Sequence, residues 1–104
     1  MDAFRILQRE GDNRNCIYLH REGSEWYAYE SSAFYLNSTF PVRGSVERIV
    51  DHKSEMCLIR IPLGRQPREF FMGQELIFRS EDILEVKCKL KYGGFRIWKS
   101  RLIN

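Results

Sequence analysis

Six basic side chains crowd the C-terminal end of the chain: Lys87, Lys89, Lys91, Arg96, Lys99 and Arg101, with no Asp or Glu from Val86 onward. That stretch carries +6, which leaves −3 on the remainder of a chain whose formal net charge is +3. Lys87, Lys89 and Lys91 alternate with Val86, Cys88 and Leu90, so a strand there puts the three ammonium groups on one face, with Tyr92, Phe95 and Trp98 close behind. Ammonium and guanidinium groups displace counterions from phosphates, and rings stack on unpaired bases, so such a face suits DNA or RNA held weakly by electrostatics. Alternating lysines are equally what a solvated strand looks like, and they discourage edge-to-edge aggregation. Phe95 and Trp98 also suit a core.

Other chemistry is sparse. Cys16, Cys57 and Cys88 are odd in number, far apart and embedded in apolar runs, the pattern of reduced core thiols. With only His20 and His52 besides, and no Cys-x-x-Cys or His-x-x-x-His, neither a metal nor another cofactor is expected. Gly64-Arg65 lacks the Lys-Ser/Thr of a phosphate loop, Gly93-Gly94 suits a turn, and there is no Gly-x-Ser-x-Gly elbow. Glu81-Asp82 suits a turn better than a carboxylate pair. No catalytic residue is assigned, and the expectation is a protein that is not an enzyme. An enzyme would need a deep pocket in which folding brings a Cys or His to a carboxylate.

The 104 residues are 43% apolar, 30% charged and 13% aromatic, enough for one folded domain over 1–104 without metal or disulfide staples. No window approaches the ~20 apolar residues of a membrane span. The N-terminus also lacks the basic-then-apolar layout of a signal peptide, so a soluble cytoplasmic protein without membrane contact is expected.

The elements that must position these residues follow from spacing. Asp2 can cap a short helix to Arg9 that buries Phe4, Ile6 and Leu7, ended by Gly11-Asp12-Asn13. Cys16–Arg21 and Glu25–Glu30 form a hairpin about Glu22-Gly23-Ser24. Trp26 and Tyr29 are expected on one buried face of it. Ser31 or Ser32 caps a helix that stops near Phe40, ahead of Pro41. Val46, Ile49 and Val50 suggest a helix over Ser45–Lys53, though Ser-Val-Glu-Arg-Ile-Val could also pair as a strand. Met56–Ile61 is a buried strand closed by Pro62, and Arg68–Met72 one helical turn. The alternation from Leu84 to Leu90, the turn at Tyr92-Gly93-Gly94 and Phe95–Leu102 predict a second hairpin with one face buried. The fold class is α+β: a mixed or antiparallel sheet with β-hairpins, and two to three short helices on one face.

The run Ile17-Tyr18-Leu19-His20-Arg21-Glu22-Gly23-Ser24-Glu25-Trp26-Tyr27-Ala28-Tyr29-Glu30-Ser31-Ser32-Ala33 resembles the opening hairpin and helix of the N-terminal domain of MutS-type DNA mismatch repair proteins. The family pattern is an apolar strand, Arg-x-Gly-Asp-Phe-Tyr-Glu, an apolar residue, an aromatic, then three residues ending in Asp, then Ala. Arg21, Gly23, Trp26, Tyr29 and Ala33 match it without a gap, and Ile61-Pro62-Leu63 is similar to a later Ile-Pro segment. The resemblance implies that domain's fold as a stand-alone copy, of the sort found among small bacterial proteins. It does not imply mismatch reading. The family's Phe-x-Glu reader, an apolar wedge plus a carboxylate, is replaced by Glu25 and Tyr27, and a carboxylate at the wedge repels phosphates and stacks on nothing. The resulting expectation is a non-enzymatic module that binds DNA or RNA through the basic C-terminal hairpin. The alternative is a protein-interaction or structural module using Phe70, Phe71 and Trp98 as an exposed apolar patch.

Overall fold

Asp2 opens the first helix as its composition predicts: its Oδ1 accepts the Arg5 backbone N–H at 3.2 Å, and α1 runs Ala3–Gly11. The computed structural model describes residues 2–40, 45–87 and 93–103. Cys88, Lys89, Lys91 and Tyr92 thus lie outside the described residues. The buried stripe of α1 is Ala3, Ile6 and Glu10, with Leu7 half-buried; Phe4, expected on it, is 68% exposed. At 3.6 residues per turn, positions 3, 6, 7 and 10 share a line from which position 4 is rotated away.

The expected hairpin forms from β1 (Cys16–Glu22) and β2 (Glu25–Tyr29), with Gly23 at φ +64 taking the left-handed turn position. The chain then switches without a loop into α2 (Glu30–Thr39), through Glu30 at φ +51. Neither Ser31 nor Ser32 is the cap; Tyr29 holds that position with no side-chain bond, and Ser32 lies inside the helix. Every residue from Glu30 to Leu36 is buried, because α2 packs on β1, β2 and β4 and is flanked by α1 and α3.

Further on come β3 (Glu47–Asp51), β4 (Met56–Gly64), a 3-10 turn at Pro67–Phe71, β5 (Glu75–Ser80), β6 (Ile83–Lys87) and α3 (Phe95–Ile103). The strands form one sheet in the order β3-β4-β2-β1-β6-β5, every neighbouring pair antiparallel. This is the α+β class the patterning indicates, with four local departures. Ser45–Lys53 holds a strand, because Glu47–Asp51 pairs along β4 from Glu47↔Arg60 to Asp51↔Met56. Pro62 does not close β4: the β3 ladder has already ended at Arg60, so the missing N–H falls where one side of β4 is unpaired. Leu76-Ile77-Phe78 lie in an edge strand that no alternation announces.

The fourth departure matters most for function, since Phe95–Ile103 is a helix and not the return strand of a basic hairpin. Phe95, Trp98, Lys99 and Ile103 are partly buried while Arg96, Ile97, Ser100, Arg101 and Leu102 are exposed, a helical period that strand alternation would break. On β6, Glu85 is buried as well as Leu84 and Val86, so the strand is covered on both sides.

Cross-strand register sorts the core into two layers. Ile17, Leu19, Trp26, Ala28, Ile61, Leu84 and Val86 share the face that packs with Ala33, Phe34 and Leu36 of α2. Tyr29 and Leu58 point the other way and pack with Ala3 and Ile6 of α1. Trp26 and Tyr29 are therefore both core residues, on opposite faces rather than one. The helices likewise divide between the two faces, where one covered face was expected.

Candidate functional site

Glu10 sits at the centre of the most heavily bonded cluster. It is 1% exposed, and its Oε1 accepts from the Ser32 backbone N–H at 2.8 Å, the Ser32 hydroxyl at 2.6 Å and Asn13 Nδ2 at 3.2 Å, while Oε2 lies 3.4 Å from His20 Nε2. The Ser32 oxygen in turn accepts from the Tyr18 N–H at 2.8 Å and from Asn13 Nδ2 at 3.1 Å, which fills its bonding capacity. Asn13 Oδ1 accepts from the Cys16 N–H at 3.1 Å and Nδ2 donates to the Cys16 carbonyl at 2.8 Å. Folding here brings a histidine, a carboxylate and a serine together. The Ser32 hydroxyl is fully buried, so the cluster ties α1, α2 and β1 together and offers no nucleophile. Sequence patterning alone missed Glu10, though it falls on the stripe begun by Ala3 and Ile6.

Glu30 is a second buried carboxylate. Its Oε2 accepts the Ile59 N–H of β4 at 2.9 Å, and its Oε1 pairs with Lys99 of α3. Lys99, expected on an outward basic face, is thereby turned inward as a structural cation. A third cluster surrounds Arg60, whose Nε meets Glu47 at 2.7 Å and whose guanidinium covers the Tyr27 ring at 4.3 Å. The Tyr29 hydroxyl donates to Glu22 there, and burial followed by that carboxylate holds the phenol well above its ordinary range. Burial also pushes the Cys16 thiol up to about 11, and a hydrogen bond with Cys16 pushes Tyr18 up to about 12. Cys16 is thus a protonated core thiol, as expected of it; Cys57 is free and half-buried.

The remaining basic candidates are scattered by the helix. Lys87 is exposed at the end of β6, paired in register with Cys16 and Glu75. Arg96 and Arg101 project from α3, without an ion-pair or hydrogen-bond partner among the described residues. Glu25 lies at the hairpin opposite Glu22, and Tyr27 is covered by Arg60, so neither presents a free stacking surface. Of the apolar candidates, Phe71 is 2% exposed and Phe70 and Trp98 pack against the core. Among the described residues the large exposed apolar side chains are instead Phe4, Val50, Met72, Phe78, Ile97 and Leu102.

A cleft of about 720 Å³ lies between the C-terminal end of α1 and the N-terminal ends of α2 and α3. Glu10 and Glu30 form part of its lining, with Ser31 and Tyr35 of α2, Arg14, and Gly93 to Ile97. Among the described residues no cluster of His, Cys, Asp and Glu could hold a metal, and no helix is long and apolar enough to cross a membrane. No family model matches the chain, and no curated protein or solved structure matches it significantly.

Proposed function

We propose that this protein is a non-catalytic module that binds DNA or RNA through basic side chains at the end of β6 and on α3. The observation that carries the reading is that Arg96 at the start of α3 and Arg101 near its end both stand exposed with no acid neutralising them among the described residues. Lys87 adds a third exposed cation, while Lys99 is removed from the set by Glu30. The likeness of Ile17–Ala33 to the opening of MutS N-terminal domains supports the same class of partner. With Glu25 at the wedge position and Tyr27 beneath Arg60, recognition of mismatches is not part of the proposal. A saturated Glu10 cluster favours binding over catalysis.

Fluorescence anisotropy with matched duplex, mismatched duplex and single-stranded oligonucleotides across a salt series tests this. The affinity is expected to fall steeply with salt and to show no mismatch preference. Reversing Arg96 and Arg101 together to Glu removes at least two phosphate contacts, so the log–log salt slope drops by about 2 and binding weakens tenfold or more. An unchanged slope in that variant refutes the α3 surface. A second reading, a protein-interaction module, is favoured by one observation: Met72 and Phe78 are 86% and 61% exposed beside edge strand β5. Loss of self- or partner association in Met72→Ser/Phe78→Ser, with no oligonucleotide bound by the wild type, selects it.

A further inference from the structure

The cleft between the three helices has a composition that the basic face alone does not explain. Two helix N-termini border it, that of α2 already occupied by Glu10, whose Oε1 accepts the Ser32 N–H, and that of α3 open. The Gly94 carbonyl accepts the Trp98 N–H at 3.0 Å, so Gly94 begins the α3 ladder and the N–H groups of Phe95, Arg96 and Ile97 precede its first bond. Gly94 stands at φ +100, and a Cβ built at either Gly93 or Gly94 meets nothing within 4 Å, so a ligand can reach the backbone there. Ser31, in the first turn of α2, lines the same cleft. It is only 7% exposed, and its hydroxyl has no hydrogen-bond partner among the described residues. Among the described residues the fully buried side-chain atom without a partner is Thr39 Oγ1, so what exposure Ser31 keeps includes its hydroxyl, a polar group open to a ligand or water in the cleft it lines.

Charge and shape then narrow the ligand. The two carboxylates of the lining are engaged, Glu30 by Lys99 and Ile59, Glu10 by Ser32 and Asn13. Arg14 and Arg96 supply positive charge to the lining. Arg14 donates to the Gly11 carbonyl at 2.8 Å, which holds it near the cleft, and Arg96 is unpartnered among the described residues. Leu7, Tyr35, Phe95 and Ile97 supply apolar and aromatic surface. The size lies within the roughly 300–1,000 Å³ of small-molecule sites. We infer that this cleft binds one nucleotide unit, its phosphate at the α3 N-terminus with Arg96 and Arg14 and its base against the Tyr35 and Phe95 side. The class of ligand rests on the nucleic-acid reading above, and the unit can be a free mononucleotide or one residue of a single strand.

The test is calorimetric titration of the full chain with inorganic phosphate, AMP and a single-stranded oligonucleotide. Gly93→Asp is the deciding variant. Gly93 precedes the α3 cap at an ordinary φ with open space above it, so an added carboxylate favours the helix dipole yet repels a phosphate. Gly93→Asp is expected to weaken AMP at least tenfold with no loss of Tm, Ser31→Ala to weaken it several-fold, and Arg101→Glu to lower oligonucleotide affinity alone. AMP held no tighter than inorganic phosphate, or unaffected by Gly93→Asp, overturns the nucleotide pocket. If AMP fails to bind while the oligonucleotide binds and depends on Arg101, the pocket falls and the basic surface stands. AMP bound with the oligonucleotide rejected keeps the pocket and removes the nucleic-acid reading.

Discussion

At the scale of single residues, stability is concentrated in acids that a sequence reader would place on the surface. Glu10 accepts from Ser32 twice and from Asn13, so its removal strands buried donors on α2 and on the loop that follows α1. Glu10→Ala is expected to destabilise the fold by about 3–5 kcal/mol, the range for breaking a buried charged partner. Urea denaturation measures this; a loss below about 1 kcal/mol would show that solvent reaches the cluster. Glu10 was legible in principle, because it continues the stripe of Ala3 and Ile6. Glu30 was not, since nothing in a Tyr-Glu-Ser-Ser run reveals that a non-glycine residue will adopt φ +51 and reach back to Ile59. That conformation costs of order 1–3 kcal/mol and is retained because its carboxylate is held from two sides.

At the scale of elements, local pattern identified what local physics decides. The Asp2 cap, the β1–β2 hairpin with Gly23 and the stop of α2 at Phe40 all follow from adjacent residues. Ser45–Lys53 was open to helix or strand by pattern, and pairing with β4 across a short turn makes it β3; α3 was misassigned because its partner is distant, Phe95 and Trp98 packing on Phe34 with ring centroids 6.3 and 5.5 Å away. Of the candidate site, the arginines Arg96 and Arg101 were legible as exposed cations. The loss of Lys99 to Glu30 was not, because it is a contact across most of the chain. The helix assignment has its own check at Ile97, which is 62% exposed. Ile97→Ala raises helix propensity and is expected to leave stability unchanged or a few tenths of a kcal/mol higher, whereas in a strand the same change costs stability. Urea midpoints distinguish the two.

For the whole molecule, pH acts through buried protons. The Cys16 thiol is raised from 9.0 to about 11 and the Tyr18 phenol from 10.0 to about 12, so the unfolded chain releases both protons before the folded one does. Their stabilising contribution is complete below about pH 9 and is lost as the pH climbs through 9 towards 12. The urea midpoint is therefore expected to hold to about pH 8.5 and then decline, and Cys16→Ala to flatten most of the decline, because the same thiol is the main cause of the Tyr18 shift. A wild-type midpoint constant to pH 11 would show that these groups titrate as freely when folded as when unfolded.

The strand order carries a consequence for how the chain is assembled. Each of the hairpins β1–β2, β3–β4 and β5–β6 is local, but the seams joining them are not: Tyr29 meets Arg60, and Cys16 meets Lys87. The hairpin synthesised first ends in the middle of the sheet, so it serves as the template for both later ones, one on each side. β3–β4 can dock as soon as it is made. The β1 edge must wait, open, for nearly the whole chain to be translated, and closing that long loop is the slow, entropically costly event. Until then the face of Ile17 and Leu19 and the free ladder of β1 are the parts of the nascent chain most open to wrong partners.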